Sequence, residues 1–250
     1  MSRKTQNRAN ARSEKKRKRR HIARLAWIGA LLGVLLLLAA RGMQSYPASD
    51  RAKEAMAADR LGGRITVFAA QEPKAGFIFY PGALVEHEAY APLMQAIASR
   101  GITCLLVEMP LDLAVLDIDA AEGLREAVPQ IETWMIGGHS LGGAMAAAHA
   151  AKQPELFDAL VLLGAYSPED LSDTGMKVLC VVGSEDGVIN REKYEESLKN
   201  YPASFRELSI DGGCHAYFGD YGAQKGDGTP TISRELQIGM TASAIAALLR

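Results

Sequence analysis

The sequence predicts an α/β domain, a mostly parallel central sheet with helices on both faces and no large cap, preceded by one N-terminal transmembrane helix. Three observations predict it. Short apolar runs alternate with helix-like segments from residue 63 to the end of the chain. A Gly-x-Ser-x-Gly pentapeptide, Gly138 to Gly142, stands where one apolar run gives way to a small-residue helix. Near the N-terminus a basic tract abuts a charge-free apolar stretch.

The net charge of -1 hides an asymmetry, because Arg3, Lys4, Arg8, Arg12 and the run Lys15 to Arg20 concentrate positive charge at one end. Leu25 to Ala40 then carries no charge over sixteen residues. At a helical rise that is roughly 24 Å, a little short of a bilayer core of about 30 Å. Ile22 and Ala23 extend it, Arg24 and Arg41 can snorkel at its ends, and Trp27 suits the headgroup layer. A cleaved signal peptide is the rival reading. The long basic leader argues against it, as does the absence of a small-x-small cleavage site around Leu38. The positive-inside rule places the tail in the cytoplasm and the bulk of the chain outside, at a cell membrane. The expected organisation is a basic cytoplasmic tail over 1–21, an anchor over 22–41, a juxtamembrane linker over 42–61 and the α/β domain over 62–250. A nucleic-acid role for the tail is less economical than a topology signal, so no nucleic-acid partner is expected.

Beyond Gly63 the apolar runs are Ile65–Ala69, Gly76–Tyr80, Ile102–Val107, Trp134–Ile136, Ala159–Leu163, Val178–Val182 and Phe205–Ile210. Several are apolar throughout, as strands buried on both faces are. Between them Tyr90–Arg100, Ala120–Ala127, Leu141–Lys152 and Arg191–Asn200 read as helices, and Gln237–Leu249 closes the chain. Alternation of this kind builds a parallel sheet whose ligands sit at the carboxyl ends of the strands. The segment between Leu163 and Lys177 is too short for a cap domain.

The pentapeptide has the strand–turn–helix context that a nucleophile elbow requires, with Ser140 at its apex. An ordinary Gly-rich turn is the blander reading of those five residues alone. A serine hydroxyl needs a base, and His215, just after the last apolar run, is the best placed of five histidines. His21 precedes the apolar span, His139 lies inside the elbow, His149 is on the following helix and His87 follows an early strand. The imidazole needs a carboxylate, and Asp186 lies a few residues past the run ending at Val182, with Glu185 as the local alternative. The chain order Ser, Asp, His matches that of α/β-hydrolases. An oxyanion site needs two backbone N–H groups. One is expected from Leu141. The other is expected from Ala83, or Leu84, in the Pro81-Gly82 turn.

These segments resemble the α/β-hydrolase superfamily, and more narrowly its family 5. The likeness runs from about residue 65 to the C-terminus through IFYPGALVEHEAYAPL, VEMPLDLAVL, IGGHSLGGAMAA, VVGSEDGV and IDGGCHAYFGDYGAQKGDG. The YPG segment and the GG-x-HA-x-FG-x-YG-x-Q loop carry more weight than GHSLG. The resemblance implies Ser140 as nucleophile, Asp186 as acid and His215 as base. The family more often has Asn where this chain has Cys214.

The expected activity is that of a serine hydrolase of carboxylesterase type, taking a small-molecule ester or acyl substrate without metal or organic cofactor. Leu84, Val85 and Phe218 are candidates for an apolar acyl pocket, with core packing as their ordinary role. A peptidase, thioesterase or carbon–carbon hydrolase on the same fold is the first alternative. A non-catalytic anchored binding protein is the second. Cys104, Cys180 and Cys214 are too few and too widely spaced for a disulfide framework, and the sequence leaves the oligomeric state open.

Overall fold

The computed structural model describes residues 45–57 and 59–250. The expected tail (1–21) and membrane span (22–41) lie outside the described residues. Among the described residues no helix is long and apolar enough to cross a membrane.

Eight strands form one sheet: β1 (Arg60–Leu61), β2 (Ile65–Phe68), β3 (Ala75–Tyr80), β4 (Ile102–Val107), β5 (Trp134–His139), β6 (Ala159–Leu163), β7 (Lys177–Gly183) and β8 (Arg206–Ile210). Their spatial order is β1-β2-β4-β3-β5-β6-β7-β8. β2 runs antiparallel to β1 and β4, and every pairing from β4 through β8 is parallel. Side chains alternate across a strand, so Phe77 and Phe79 enter one apolar core while Ile78 and Tyr80 enter the other. Both faces are therefore covered, and all six residues of β3 are buried. Each fully buried side chain of this size contributes about 1.5–3 kcal/mol relative to exposure.

The helices are α1 (Asp50–Glu54), α2 (Ala91–Ala98), α3 (Leu141–Ala150), α4 (Arg191–Ser197) and α5 (Arg234–Ala246). Three have side-chain caps: Ser49, Asn190 and Ser233 each accept an N–H from the first turn of α1, α4 and α5. One expected helix does not form. Residues 120–127 run as successive turns, with bonds such as Leu124 N–H to Ala121 O at 3.2 Å and Val128 N–H to Arg125 O at 3.1 Å. Gly123 interrupts them at φ +76°. The Tyr80 hydroxyl also takes the Ala121 N–H (2.8 Å) and donates to Ile118 O (3.0 Å), a tertiary demand that outweighs the Ala- and Glu-rich local preference.

The described part of the expected linker is built into this unit. The Tyr46 N–H donates to Leu84 O at 2.6 Å, and the Glu86 N–H returns to Tyr46 O at 3.1 Å. The Ser49 N–H reaches Asp220 O at 2.8 Å, and Arg51 pairs with the Asp220 carboxylate at 2.8 Å. Ala52 is fully buried. An Ala-rich charged stretch reads as a linker because this packing depends on loops more than thirty residues away.

Candidate active site

The carboxyl ends of β3, β5, β6, β7 and β8 bring the candidate residues together. Ser140 follows β5 directly and sits at φ +53°, ψ -124°. A non-glycine residue there is strained, and packing on both sides must hold it. Its N–H is held by Leu163 O at 2.9 Å, and its carbonyl accepts the Ala144 N–H at 3.2 Å. The chain then turns into α3 so closely that a Cβ on Gly142 would lie 2.1 Å from Pro81 O. Bulk at that position is excluded by backbone, which explains the small residues around the serine.

Asp186, in the loop after β7, and His215, after β8, are both buried, and Asp186 Oδ2 lies 2.8 Å from His215 Nδ1. The other Asp186 oxygen accepts the Val188 and Ile189 N–H groups, each at 2.9 Å. Burial works to raise the Asp186 carboxyl. The His215 hydrogen bond and charge, with those two N–H groups, outweigh it and hold the carboxyl below the usual range. Glu185, the local alternative, is exposed and its carboxylate meets the Ser184 hydroxyl at 3.0 Å. His215 Nε2 is buried and has no hydrogen-bond partner among the described residues. The His215 ring packs beside that of His139 at the end of the elbow strand, their centroids 4.4 Å apart. Ser140 is half-buried.

The remaining histidines are engaged elsewhere. His149 bonds Asp119 at 2.9 Å, His87 contacts Glu88 at 3.2 Å, and His21 lies outside the described residues. On the turn after β3, the Gly82 N–H donates to Tyr90 Oη (3.0 Å) and the Leu84 N–H to Asp112 O (2.8 Å). The Val85 and Glu86 N–H groups are taken by Gly82 O and Tyr46 O. Ala83 alone of residues 82–86 keeps an uncommitted N–H among the described residues. Leu141 opens α3, where the first N–H groups of a helix have no intrahelical acceptor. Leu84, Val85 and Phe218 are buried, and Val85 and Phe218 pack inside one apolar core. Cys214 is buried and free, its thiol pushed up to about 12 by burial and by Asp227. Its backbone is clamped by Gln237, which accepts its N–H at 3.0 Å and donates to its carbonyl at 2.8 Å.

Two contributors escape sequence reasoning. Gly164, after β6, adopts φ +51°, and a Cβ there would lie 2.8 Å from His215 Nδ1 and 3.0 Å from Asp186 Oδ2. Asp227 accepts the N–H groups of His215 (3.1 Å), Ala216 (2.8 Å), Gly187 (3.3 Å) and Gly228 (2.9 Å). One carboxylate thus grips the loops that carry Asp186 and His215. The only sequence signal for it is its place between two glycines in a loop rich in turn residues. Among the described residues, no group of three His, Cys, Asp or Glu side chains is arranged to hold a metal ion.

A family model described as the alpha/beta hydrolase family matches residues 76–239. No curated protein matches the chain. Solved structures share the fold. Est1E from Butyrivibrio proteoclasticus is similar at TM-score 0.56 and 14% identity, over 76% of this chain and 96% of that one. The esterase domain of a Rhodothermus marinus protein is similar at TM-score 0.57 and 14% identity, over 73% and 90%. Dienelactone hydrolase from Anabaena variabilis is similar at TM-score 0.54 and 18% identity, over 73% and 88%. At these identities the likeness is one of fold.

Proposed function

This chain belongs to the alpha/beta hydrolase family, and from that premise we propose that it is a serine hydrolase of carboxylesterase type. The observation that carries the reading is the buried Asp186–His215 pair, 2.8 Å apart, set beside a strained serine at the carboxyl end of one sheet. In this mechanism His215 takes the Ser140 proton as the hydroxyl attacks an acyl carbonyl. Asp186 holds the imidazole in the Nδ1–H tautomer and stabilises the imidazolium. The Leu141 and Ala83 N–H groups receive the developing oxyanion, and the bonding of every other amide in residues 82–86 supports Ala83 over Leu84. His215 then protonates the leaving alcohol, and water cleaves the acyl-enzyme by the same steps in reverse. The short connection from β6 to β7 leaves the site without a cap, which favours small esters. The similar folds include an esterase domain and a dienelactone hydrolase, which agrees with an ester substrate.

The proposal extends to placement. The basic tract and the charge-free run Leu25 to Ala40 support a retained anchor with the N-terminus in the cytoplasm and the hydrolase domain outside.

The test is fluorophosphonate labelling of the full chain beside Ser140→Ala, with p-nitrophenyl acetate turnover. We expect wild type to label and the variant to lose labelling, with kcat falling by roughly three orders of magnitude or more. A folded wild type that does not label, or a variant that turns over normally, would sink the reading.

A further inference from the structure

We propose that Tyr90 is a positioning residue of the oxyanion loop, joining that loop to the nucleophile elbow through His139. The inference rests on the serine-hydrolase reading above and adds a role to two residues that the mechanism does not use.

The two loops that must supply oxyanion donors come from different strands. Leu141 follows β5, while Ala83 lies in the turn after β3. Their separation has to be fixed to a fraction of an ångström if both N–H groups are to reach one oxygen. Pairing of β3 with β5 ends at Tyr80 and Gly138, so the sheet itself does not fix the turn beyond. The Tyr90 hydroxyl does. It accepts the Gly82 N–H at 3.0 Å and lies 2.8 Å from His139 Nδ1. Gly82 immediately precedes Ala83, and His139 immediately precedes Ser140. A single buried oxygen therefore ties the residue before the loop donor to the residue before the nucleophile.

Donor counting gives the direction of each bond. The Gly82 N–H can only donate, so Oη accepts it, and the phenol's own proton goes to Nδ1 as its one acceptor. That requires a neutral His139. The ring is fully enclosed, and burial together with the neighbouring His215 holds it well below the usual histidine range. The fit is tight: a Cβ on Gly82 would stand 2.8 Å from both His139 Nδ1 and Tyr90 Oη. Tyr90 is itself immobilised, fully buried at the end of the turn His87–Tyr90, with its ring 5.1 Å from that of Phe79. Next in the loop, Leu84 is fixed at φ +55° by Asp112 O on its N–H and by Tyr46 N–H on its carbonyl. Ala83 is thereby held from both sides with its own N–H left over.

The experiment compares full-length wild type, Ser140→Ala, Tyr90→Phe, His139→Leu, His139→Asn and the Tyr90→Phe/His139→Leu pair on p-nitrophenyl acetate, with fluorophosphonate labelling rates. Tyr90→Phe removes the bridging oxygen and little volume. We expect kcat and labelling rate to fall roughly 10- to 100-fold, the scale of a small displacement of a reacting group, with KM changed less than about twofold. His139→Asn keeps an acceptor where Nδ1 stands and should retain far more kcat than His139→Leu. The double variant should be no worse than the poorer single variant, because both break one connection. Wild-type kcat in Tyr90→Phe, a loss confined to KM, or His139→Asn as poor as His139→Leu would overturn the proposal. If Tyr90→Phe does not fold, the two His139 variants still decide it. Failure of wild type to label, or full activity in Ser140→Ala, would instead refute the serine mechanism and the Tyr90 role with it.

Discussion

The two ends of the sheet obey different rules. At the amino ends of the strands, open grooves of about 750 and 850 Å³ are lined by residues such as Lys74, Thr133, Asp158, Asp173 and Lys177 in one and Gln71, Glu72 and Arg100 in the other. The turn into β4 there takes its positive φ on glycine, Gly101 at +86°. At the carboxyl ends, all four non-glycine residues with positive φ among the described residues gather: Leu84, Leu111, Asp112 and Ser140. There too lie the buried Asp186–His215 pair and the buried Nε2 atoms of His139 and His215, which have no hydrogen-bond partner among the described residues. Backbone strain and buried ionisable groups, each costing stability, mark the end where chemistry is expected.

That contrast can be broken by substitution, and the largest effect should come from the buried pair. Asp186→Asn keeps the shape but removes the charge that selects the His215 tautomer, and kcat should fall by about 10⁴. It also bears on acid stability. Because the Asp186 carboxyl is held below its unfolded value of about 3.9, its contribution is complete above that pH. The contribution disappears as pH falls through the lowered folded value. Denaturant titrations should therefore show wild type more stable than Asp186→Asn at pH 7, with the gap narrowing in acid below pH 4. A constant gap would mean the carboxyl is not ionised in the folded site.

Asp227→Ala should have the next effect. It leaves the His215, Ala216 and Gly187 N–H groups without their acceptor, while the Gly228 N–H keeps Glu185 O, so kcat should drop roughly 10- to 100-fold. Stability should fall by about 1–3 kcal/mol, read by denaturant midpoint. Asp227→Asn, which keeps one acceptor oxygen, should fall between. The smallest effect belongs to the other end. Lys177→Ala removes an exposed amine that donates to Leu248 O, and it should alter stability by less than about 1 kcal/mol and leave kcat unchanged. A large loss of activity there would mean that the amino-end groove takes part in function.

Much of the strand framework is legible in the chain because its signal is local. Every strand from β2 to β8 overlaps a run read from the chain, and in β3 to β6 burial on both faces leaves no polar alternation to confuse the reading; the edge strand β8 differs, with Arg206, Glu207 and Ser209 exposed. The helix expected at 120–127 fails for the opposite reason: its conformation answers to Tyr80, forty-one residues earlier. The linker reading of 42–61 meets the same limit, because Tyr46 and Arg51 find their partners on the loops at Leu84 and Asp220.

The site divides along the same line. By itself the sequence determined the elbow at Ser140 and the order Ser, Asp, His, because glycine spacing and chain order are properties of the string. Only the tertiary structure decided that Asp186 rather than Glu185 meets His215 and that, among the described residues, Ala83 rather than Leu84 has a free N–H. The same holds for Gly164, Asp227 and the Tyr90–His139 bridge, whose contacts with the candidate site join residues far apart in the chain. Hydrogen bonds and close approaches are set by distance in space, and parallel strands bring together loops that the chain keeps tens of residues apart.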